Sequence, residues 1–296
     1  MTRICENRVV VVTGAARGLG REYALAFAAE GAQVVINDLG GAADRRAAEA
    51  VVREIEGAGG KAVANHDDIA DWDGAGRLIQ SSLETFGALH TVVNNAGILR
   101  IFPFAEEPLD NWDLTIRVHL RAHFCVARHA VEHWRAEHSA GRAVAARIIN
   151  ISSGAGLQGA AGQASYATAK GGIASLTLTQ AADLARYGIT VNAVAPIART
   201  RMTSEFWPAQ VAKPDHGFDA MDPANVAPTL VWLGSERSSH VSGCVFEVGG
   251  GLIGLEEGWD LGPKVEHQRR WAPADVGPAI DELLSRRRAP RAVWNT

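Results

Sequence analysis

Arg8-Val-Val-Val-Val-Thr-Gly-Ala-Ala-Arg-Gly-Leu-Gly20 is the first legible unit of the chain. The β-branched run from Arg8 to Thr13 reads as a buried strand, because a strand covered on both faces is a continuous apolar run. Gly14, Gly18 and Gly20 follow, with Arg17 and Leu19 between them, and a helical stretch runs on to Glu30. Glycines at such a turn let a pyrophosphate approach the backbone N–H groups of the helix N-terminus. The spacing is G-x-x-x-G-x-G rather than G-x-G-x-x-G, and the same residues also make a plain tight turn. Their place between a strand and a helix is the context that a dinucleotide site requires.

The pattern repeats outward from that unit. Gln33 to Asp38 reads as a second strand, and Asp38 stands 18 residues after Gly20. A carboxylate there suits an acceptor for an adenosine ribose 2′-OH. A 2′-phosphate would meet like charge, which favours NAD over NADP, whereas Arg17 argues for a 2′-phosphate. Residues 42–57 read as a helix, stopped by Gly57-Ala-Gly-Gly60, and Lys61 to His66 as a third strand. Asp68, followed by Ile69, either meets an adenine amino group or caps the helix over residues 71–86. Leu89 to Gly97 is a fourth strand and its exit, where Asn95, Ala96 and Gly97 line a cofactor trough or form a ligand-free turn. Residues 108–138 read as one long helix, Ala145 to Ser152 as a strand, and Ile189 to Pro196 as another. Arg201 to Asp222 reads as an irregular lid-like segment. Residues 223–235 read as a helix and Cys244 to Val248 as a last strand.

Alternating strands and helices imply an α/β class with one doubly wound parallel sheet and helices on both faces. Its ligand crevice lies at the carboxyl ends of the strands, where the chain reverses order. The expected organisation is a single domain over residues 1–251. An extension over residues 252–296 would cover the substrate site or a subunit interface.

Composition narrows the class. At 296 residues and 47% hydrophobic the chain can bury a large core. A net charge of −4 argues against a nucleic-acid footprint. Cys5, Cys125 and Cys244 make no metal or disulfide motif, which fits a reducing, cytoplasmic setting. There is no secretory leader pattern, no apolar run of membrane-spanning length, and Val293-Trp-Asn-Thr296 is not a peroxisomal address. The five histidines between His119 and His138 include His129-Ala-Val-Glu-His133, which matches a zinc pattern. Several further histidines on the same stretch read instead as a polar face, so no metal is expected.

The chemistry concentrates in Ser153-Gly-Ala-Gly-Leu-Gln-Gly-Ala-Ala-Gly-Gln-Ala-Ser-Tyr-Ala-Thr-Ala-Lys170. Tyr166 and Lys170, four apart, share a helix face. An ammonium beside a phenol favours the phenolate, and a fall from about 10 to about 7 makes Tyr a general base near neutral pH. Ser153, at the end of the preceding strand, can hold the same substrate oxygen. The apolar Leu99, Leu157, Phe206 and Trp207 flank the expected pocket or simply pack.

Thr13-Gly-x-x-x-Gly-x-Gly20, Asn94-Asn-Ala-Gly97, Ser153 and Tyr166-x-x-x-Lys170, in that order, resemble the short-chain dehydrogenase/reductase family over about residues 8–250. The resemblance implies a Rossmann fold with a seven-stranded parallel sheet. It also implies homodimers or tetramers built through the helices near 108–138 and 165–187. A closer likeness is to the (3R)-hydroxyacyl-CoA dehydrogenase units of the peroxisomal multifunctional enzymes of type 2, whose repertoire includes 17β-hydroxysteroid oxidation. It is carried by Asn37-Asp-Leu-Gly-Gly41, Arg117-Val-His-Leu-Arg121 and Gly162-Gln-Ala-x-Tyr166, among others. It implies an NAD-dependent alcohol dehydrogenase with Ser153, Tyr166 and Lys170 as the catalytic set and Gln163 near the substrate. His119 stands where most of the family has a proton-relay Asn. Pro196 and Thr200 would face the nicotinamide, although Ile197 replaces the family's usual Gly. The alternatives are an NADPH-dependent 3-oxoacyl carrier-protein reductase, against which Asp38 speaks, and a non-enzymatic NAD-binding regulator.

Overall fold

A computed structural model describes residues 3–259, 262–266, 268, 270–288, 291 and 293. Trp294 to Thr296, the end read for a peroxisomal address, lie outside them. The chain runs through β1 (Val9–Thr13), α1 (Gly18–Ala29), β2 (Gln33–Asn37), α2 (Ala42–Gly57), β3 (Lys61–Asn65), α3 (Trp72–Phe86) and β4 (Thr91–Asn94). It continues through α4 (Leu109–Ile116), a π turn (Arg117–Arg121), α5 (Ala122–Ser139), β5 (Ala146–Ile151), α6 (Gly154–Gln158) and α7 (Ala164–Leu184). It closes with β6 (Ile189–Pro196), α8 (Arg201–Phe206), α9 (Ala227–Gly234), β7 (Val245–Gly249), β8 (Leu252–Glu256) and α10 (Pro273–Arg286).

One sheet has the order β3-β2-β1-β4-β5-β6-β7-β8. It is parallel from β3 to β7, as expected, and β8 joins antiparallel to β7. Among the described residues the sheet therefore has eight strands, not seven. The extra one comes from the expected extension, whose first residues return along the exposed edge of β7. The order reverses between β1 and β4, and the carboxyl ends of those two strands frame the crevice.

Alternate residues of the buried strands feed two cores, one on each side of the sheet. Val10, Val12, Val34 and Ile36 pack with Tyr23 and Phe27 of α1, Ile55 of α2 and Leu230 of α9. Val11, Val35, Val92 and Ile148 pack with Leu78 of α3 and Val126 and Trp134 of α5. Trp134 is fully enclosed and donates its indole N–H to the Leu89 carbonyl at 2.7 Å.

Two expected elements differ. The long helix at 108–138 is interrupted by the π turn at Arg117–Arg121. Such insertions aim side chains that a continuous helix would turn elsewhere. The irregular segment begins with α8 and is tied down: Arg199 pairs with Asp219 and donates to the Val211 carbonyl at 3.1 Å. The three cysteines are unpaired. Among the described residues no helix is long and apolar enough to cross a membrane.

Trp134→Ala is expected to cost about 3–5 kcal/mol, because it empties a large buried volume and strands the Leu89 carbonyl. Urea unfolding checks this, and a loss under 1 kcal/mol would show that the α5 face is less tightly packed than described.

Candidate active site

The glycine turn comes first. Gly14 and Gly18 adopt positive φ of 64° and 53°. A Cβ on Gly20 would lie 2.2 Å from the Gly14 carbonyl oxygen, and one on Gly14 would lie 2.8 Å from the Ala96 Cα. The exits of β1 and β4 thus touch backbone to backbone. Asn95 locks them, donating to the Thr13 and Gly14 carbonyls at 2.8 and 3.1 Å, while the Thr13 hydroxyl accepts from the N–H groups of Asn95 and Ala96. The N-cap Arg17 supplies no side-chain cap to α1, and Gly18, Leu19 and Gly20 of its first turn line the cavity. Asp38 follows β2, and its carboxylate accepts from the Ala16 N–H at 2.9 Å, which fixes it beside the turn.

The far wall comes from β5 and α7. Ser153 is the N-cap of α6, its hydroxyl accepting from the Ala155 N–H at 3.3 Å. Lys170 is buried, and its ammonium donates to the Ile151 carbonyl at 2.6 Å. The neighbouring Ser152 hydroxyl donates back to the Lys170 carbonyl at 2.8 Å. A Cβ on Gly156 would come within 2.5 Å of the Gly171 nitrogen, so α6 and α7 also meet through bare backbone. This contact seats Ser153 against Tyr166. The sequence reading missed Gly156 and Gly171; the signal was a glycine three residues after Ser153 and another directly after Lys170.

His119 falls in the π turn and is buried. Its Nε2 lies 2.7 Å from the Ile98 carbonyl and 3.0 Å from the Ile98 N–H. A Cβ on Gly97 would lie 2.4 Å from its ring, and the ring stands edge-on to Tyr166 with centroids 5.2 Å apart. His119 therefore ties the β4 exit to Tyr166. Burial, followed by the charge of Lys170, holds it far below the usual histidine range, so it is neutral. His123, one turn on, is pushed down to about 3 by burial and then by Lys170. His129 instead meets the Trp72 carbonyl at 2.9 Å. Among the described residues no group of three His, Cys, Asp or Glu is placed to hold a metal.

The protein's own electrostatics reverse one expectation. Tyr166 keeps part of its ring open to the cavity, yet its low-dielectric surroundings raise its phenol above the ordinary range, and a hydrogen bond with Ser153 opposes that rise. Lys170 lies over the phenol ring. Its ammonium is 5.8 Å from the Tyr166 ring centroid, and burial lowers its own pKa to about 7. Taking the ammonium out of water costs more than one carbonyl returns.

These groups share a cavity of about 460 Å³. Its lining includes Gly14, Arg17, Gly18, Leu19, Gly20, Asp38, Asp68, Ile69, Asn95, Ala96 and Gly97 at one end. Ser153, Tyr166, Lys170, His119, Pro196, Thr200, Leu99, Gln163 and Trp207 line the other. Leu157 and Phe206 are not in the lining; Phe206 leans on the Trp207 ring, with centroids 5.8 Å apart. Asp68 is not the helix cap, a role taken by Asp71, which accepts from Gly74. Burial acts to raise the Asp68 pKa, but its bond with Arg117 at 2.6 Å and two backbone N–H groups outweigh it and hold the carboxyl below the usual range. A turn that accepts no Cβ, uncapped N–H groups and a fixed carboxylate at the next strand end fit a nicotinamide dinucleotide.

Comparison with known proteins agrees with that fit. The short chain dehydrogenase family model matches residues 8–210. Mouse peroxisomal multifunctional enzyme type 2 is 43% identical over 254 residues, which are 84% of this chain but 32% of that protein. The hydroxyacyl-CoA dehydrogenase ChsB1 of Mycobacterium tuberculosis is 43% identical over 258 residues, covering 84% of this chain and 79% of that one. A crystal structure of a short chain dehydrogenase from Mycobacterium avium superposes with a TM-score of 0.90 at 49% identity, over 99% of this chain and all of the other.

The Lys170 environment has a measurable consequence. Its folded pKa lies near 7, below its ordinary value of 10.5, so the unfolded chain binds the extra proton between those values. Wild-type stability therefore rises through that window relative to Lys170→Met, by up to about 1.4 kcal/mol per pH unit. Unfolding curves at pH 7, 8.5 and 10 check it; parallel curves for the two proteins would remove the buried ammonium from the description.

Proposed function

The chain belongs to the short-chain dehydrogenase/reductase family, and from that premise we propose that it is an NAD-dependent dehydrogenase oxidising a secondary alcohol to a ketone. The observation that carries this reading is the convergence of Ser153, Tyr166, Lys170 and the glycine turn on one cavity. When bound, the nicotinamide supplies the hydride acceptor for the carbinol carbon. Ser153 donates its hydroxyl hydrogen to the substrate oxygen and fixes it against Tyr166. In its ionised form Tyr166 takes the hydroxyl proton; the Ser153 hydrogen bond is the contact that favours that form, against the rise caused by burial. Lys170, held on the Ile151 carbonyl, stands beneath the phenol and orients the face of α7 that carries it. His119, held neutral, keeps the edge of its ring against Tyr166 and fixes the direction of the phenol. Holding the oxygen and the base in line is the larger part of the rate, and proton abstraction adds roughly 10²–10⁴-fold.

NAD is favoured over NADP by Asp38, because a 2′-phosphate beside its carboxylate, which the Ala16 N–H fixes at the glycine turn, would meet like charge. The substrate class is a 3-hydroxyacyl thioester, supported by the relative named as a hydroxyacyl-CoA dehydrogenase at 43% identity. A hydroxysteroid is the second member of the same class of greasy alcohols. The exposed Phe124 on α5 and Leu178 on α7 suit a homo-oligomer built through those helices.

NAD+ reduction at 340 nm tests the reading, with a 3-hydroxyacyl-CoA, a 17β-hydroxysteroid and a short secondary alcohol, each repeated with NADP+. Turnover of the CoA ester with NAD+ is expected, and inertness towards all three would overturn it. Tyr166→Phe should lower kcat by at least about 10²-fold with dinucleotide affinity retained; full turnover by that variant would refute Tyr166 as the base. Asp38→Ala should move preference toward NADP+, and an unchanged NAD+/NADP+ ratio would take Asp38 off the ribose.

A further inference from the structure

The catalytic cavity has one wall that does not come from the Rossmann sheet and its connections. Val293, three residues from the chain end, is 4% exposed and lines the cavity that holds Ser153, Tyr166 and Trp207. It packs at Gly154, directly after the catalytic serine: a methyl at that glycine would lie 3.8 Å from the Val293 Cγ1.

The tail is held there by an electrostatic requirement of the sheet edge. Glu247 on β7 stands opposite Gly254 of β8, so Glu256, two residues on, lies diagonal to it on the same face. Both carboxylates are mostly covered, with side chains 15% and 18% exposed. Two such like charges destabilise the strand pair unless a cation lies between them. Arg291 meets both, Glu247 at 3.2 Å and Glu256 in a short contact. With its amide oxygen turned to the guanidinium, Gln158 of α6 accepts a third bond from the Arg291 Nε at 3.2 Å. Arg291 thus clamps β7, β8 and α6 together, two residues before the valine that enters the cavity. The strand that the sequence expectation lacked is what supplies half of the clamp.

We propose that Val293 is a specificity-determining residue: the Arg291 clamp holds Val293 against the catalytic cavity of its own chain, and the valine sets an upper limit on the size of the apolar group beside the carbinol at Ser153. The inference rests on the dehydrogenase reading and adds the element that selects among its substrates. An aliphatic wall recognises an alkyl chain or ring by filling the space next to it, so one or two methylenes of bulk change discrimination about tenfold or more.

The test is a size profile: kcat/KM with NAD+ for 3-hydroxyacyl-CoA esters from four to sixteen carbons. Val293→Gly and Arg291→Ala should both raise the ratio of the longest to the shortest ester by about 5- to 10-fold, chiefly through a lower KM for the longest. Val293→Trp should lower the same ratio. Arg286→Ala, on the exposed face of α10, should reproduce the wild-type profile. Variants that scale every ester equally, or leave the profile unmoved, would overturn the proposal while the dehydrogenase reading stands. A wild-type protein that turns over none of the esters would overturn the dehydrogenase reading instead. Calorimetry of the same esters in the presence of NAD+ would then decide the wall by itself. Tighter binding of the longest ester by Val293→Gly than by wild type supports it, and equal affinity refutes it.

Discussion

The site depends on one buried charge. Lys170 is enclosed by α7 and β5, and its ammonium donates to the Ile151 carbonyl at 2.6 Å. A cation taken out of water requires compensation from whatever surrounds it, and here the protein answers partly with that carbonyl and partly by depressing the pKa to about 7. The same contact, doubled by Ser152 donating to the Lys170 carbonyl, fixes α7 on β5. Tyr166, one turn before Lys170 on α7, and Ser153, two residues beyond Ile151, inherit their positions from it. The fold and the geometry of the candidate site are therefore one constraint at this point.

A second constraint is how closely the backbone must approach itself. The β1 and β4 exits touch at Gly14, α6 and α7 touch at Gly156, and the β4 exit touches His119 at Gly97. At Gly14 and Gly156 a Cβ would collide with backbone, and at Gly97 with the buried His119 ring that is held on Ile98. Between the strand ends, side-chain amides finish the job. Asn37 donates to Asn65, and Asn94 donates to Asn150, which donates to Thr177 and Gln180 of α7. These buried amides knit the carboxyl ends of the sheet into a rigid floor. A floor of that kind is what allows half a dozen loops to hold a common geometry.

The tail shows how a fold edge becomes part of a site. The open edge of β7 is covered by β8, and covering it places two carboxylates on one face. Arg291 relieves that repulsion, and in doing so it brings Val293 to the serine. The requirement arises in the sheet, and its consequence is felt in the cavity.

The sequence by itself determined the strands, their alternation with helices, and the grouping of Ser153, Tyr166 and Lys170 in one stretch. Those follow from local rules: apolar runs, glycine turns, and the four-residue spacing of one helix face. It placed the glycine turn and Asp38 at strand ends for the same reason. Tertiary structure alone decided the π turn that aims His119, because the segments before and after it each read as helix and no local signal marks one widened turn between them. It alone decided that Asp71 rather than Asp68 caps α3, and that Phe206 leans on Trp207 while Leu157 stays out of the cavity lining. It alone raised the Tyr166 pKa, because desolvation depends on neighbours from other elements and helix spacing carries no record of them. The eighth strand and Val293 in the cavity depend on contacts between residues 247, 256 and 291, which are distant in sequence, and no local pattern announces a contact of that kind.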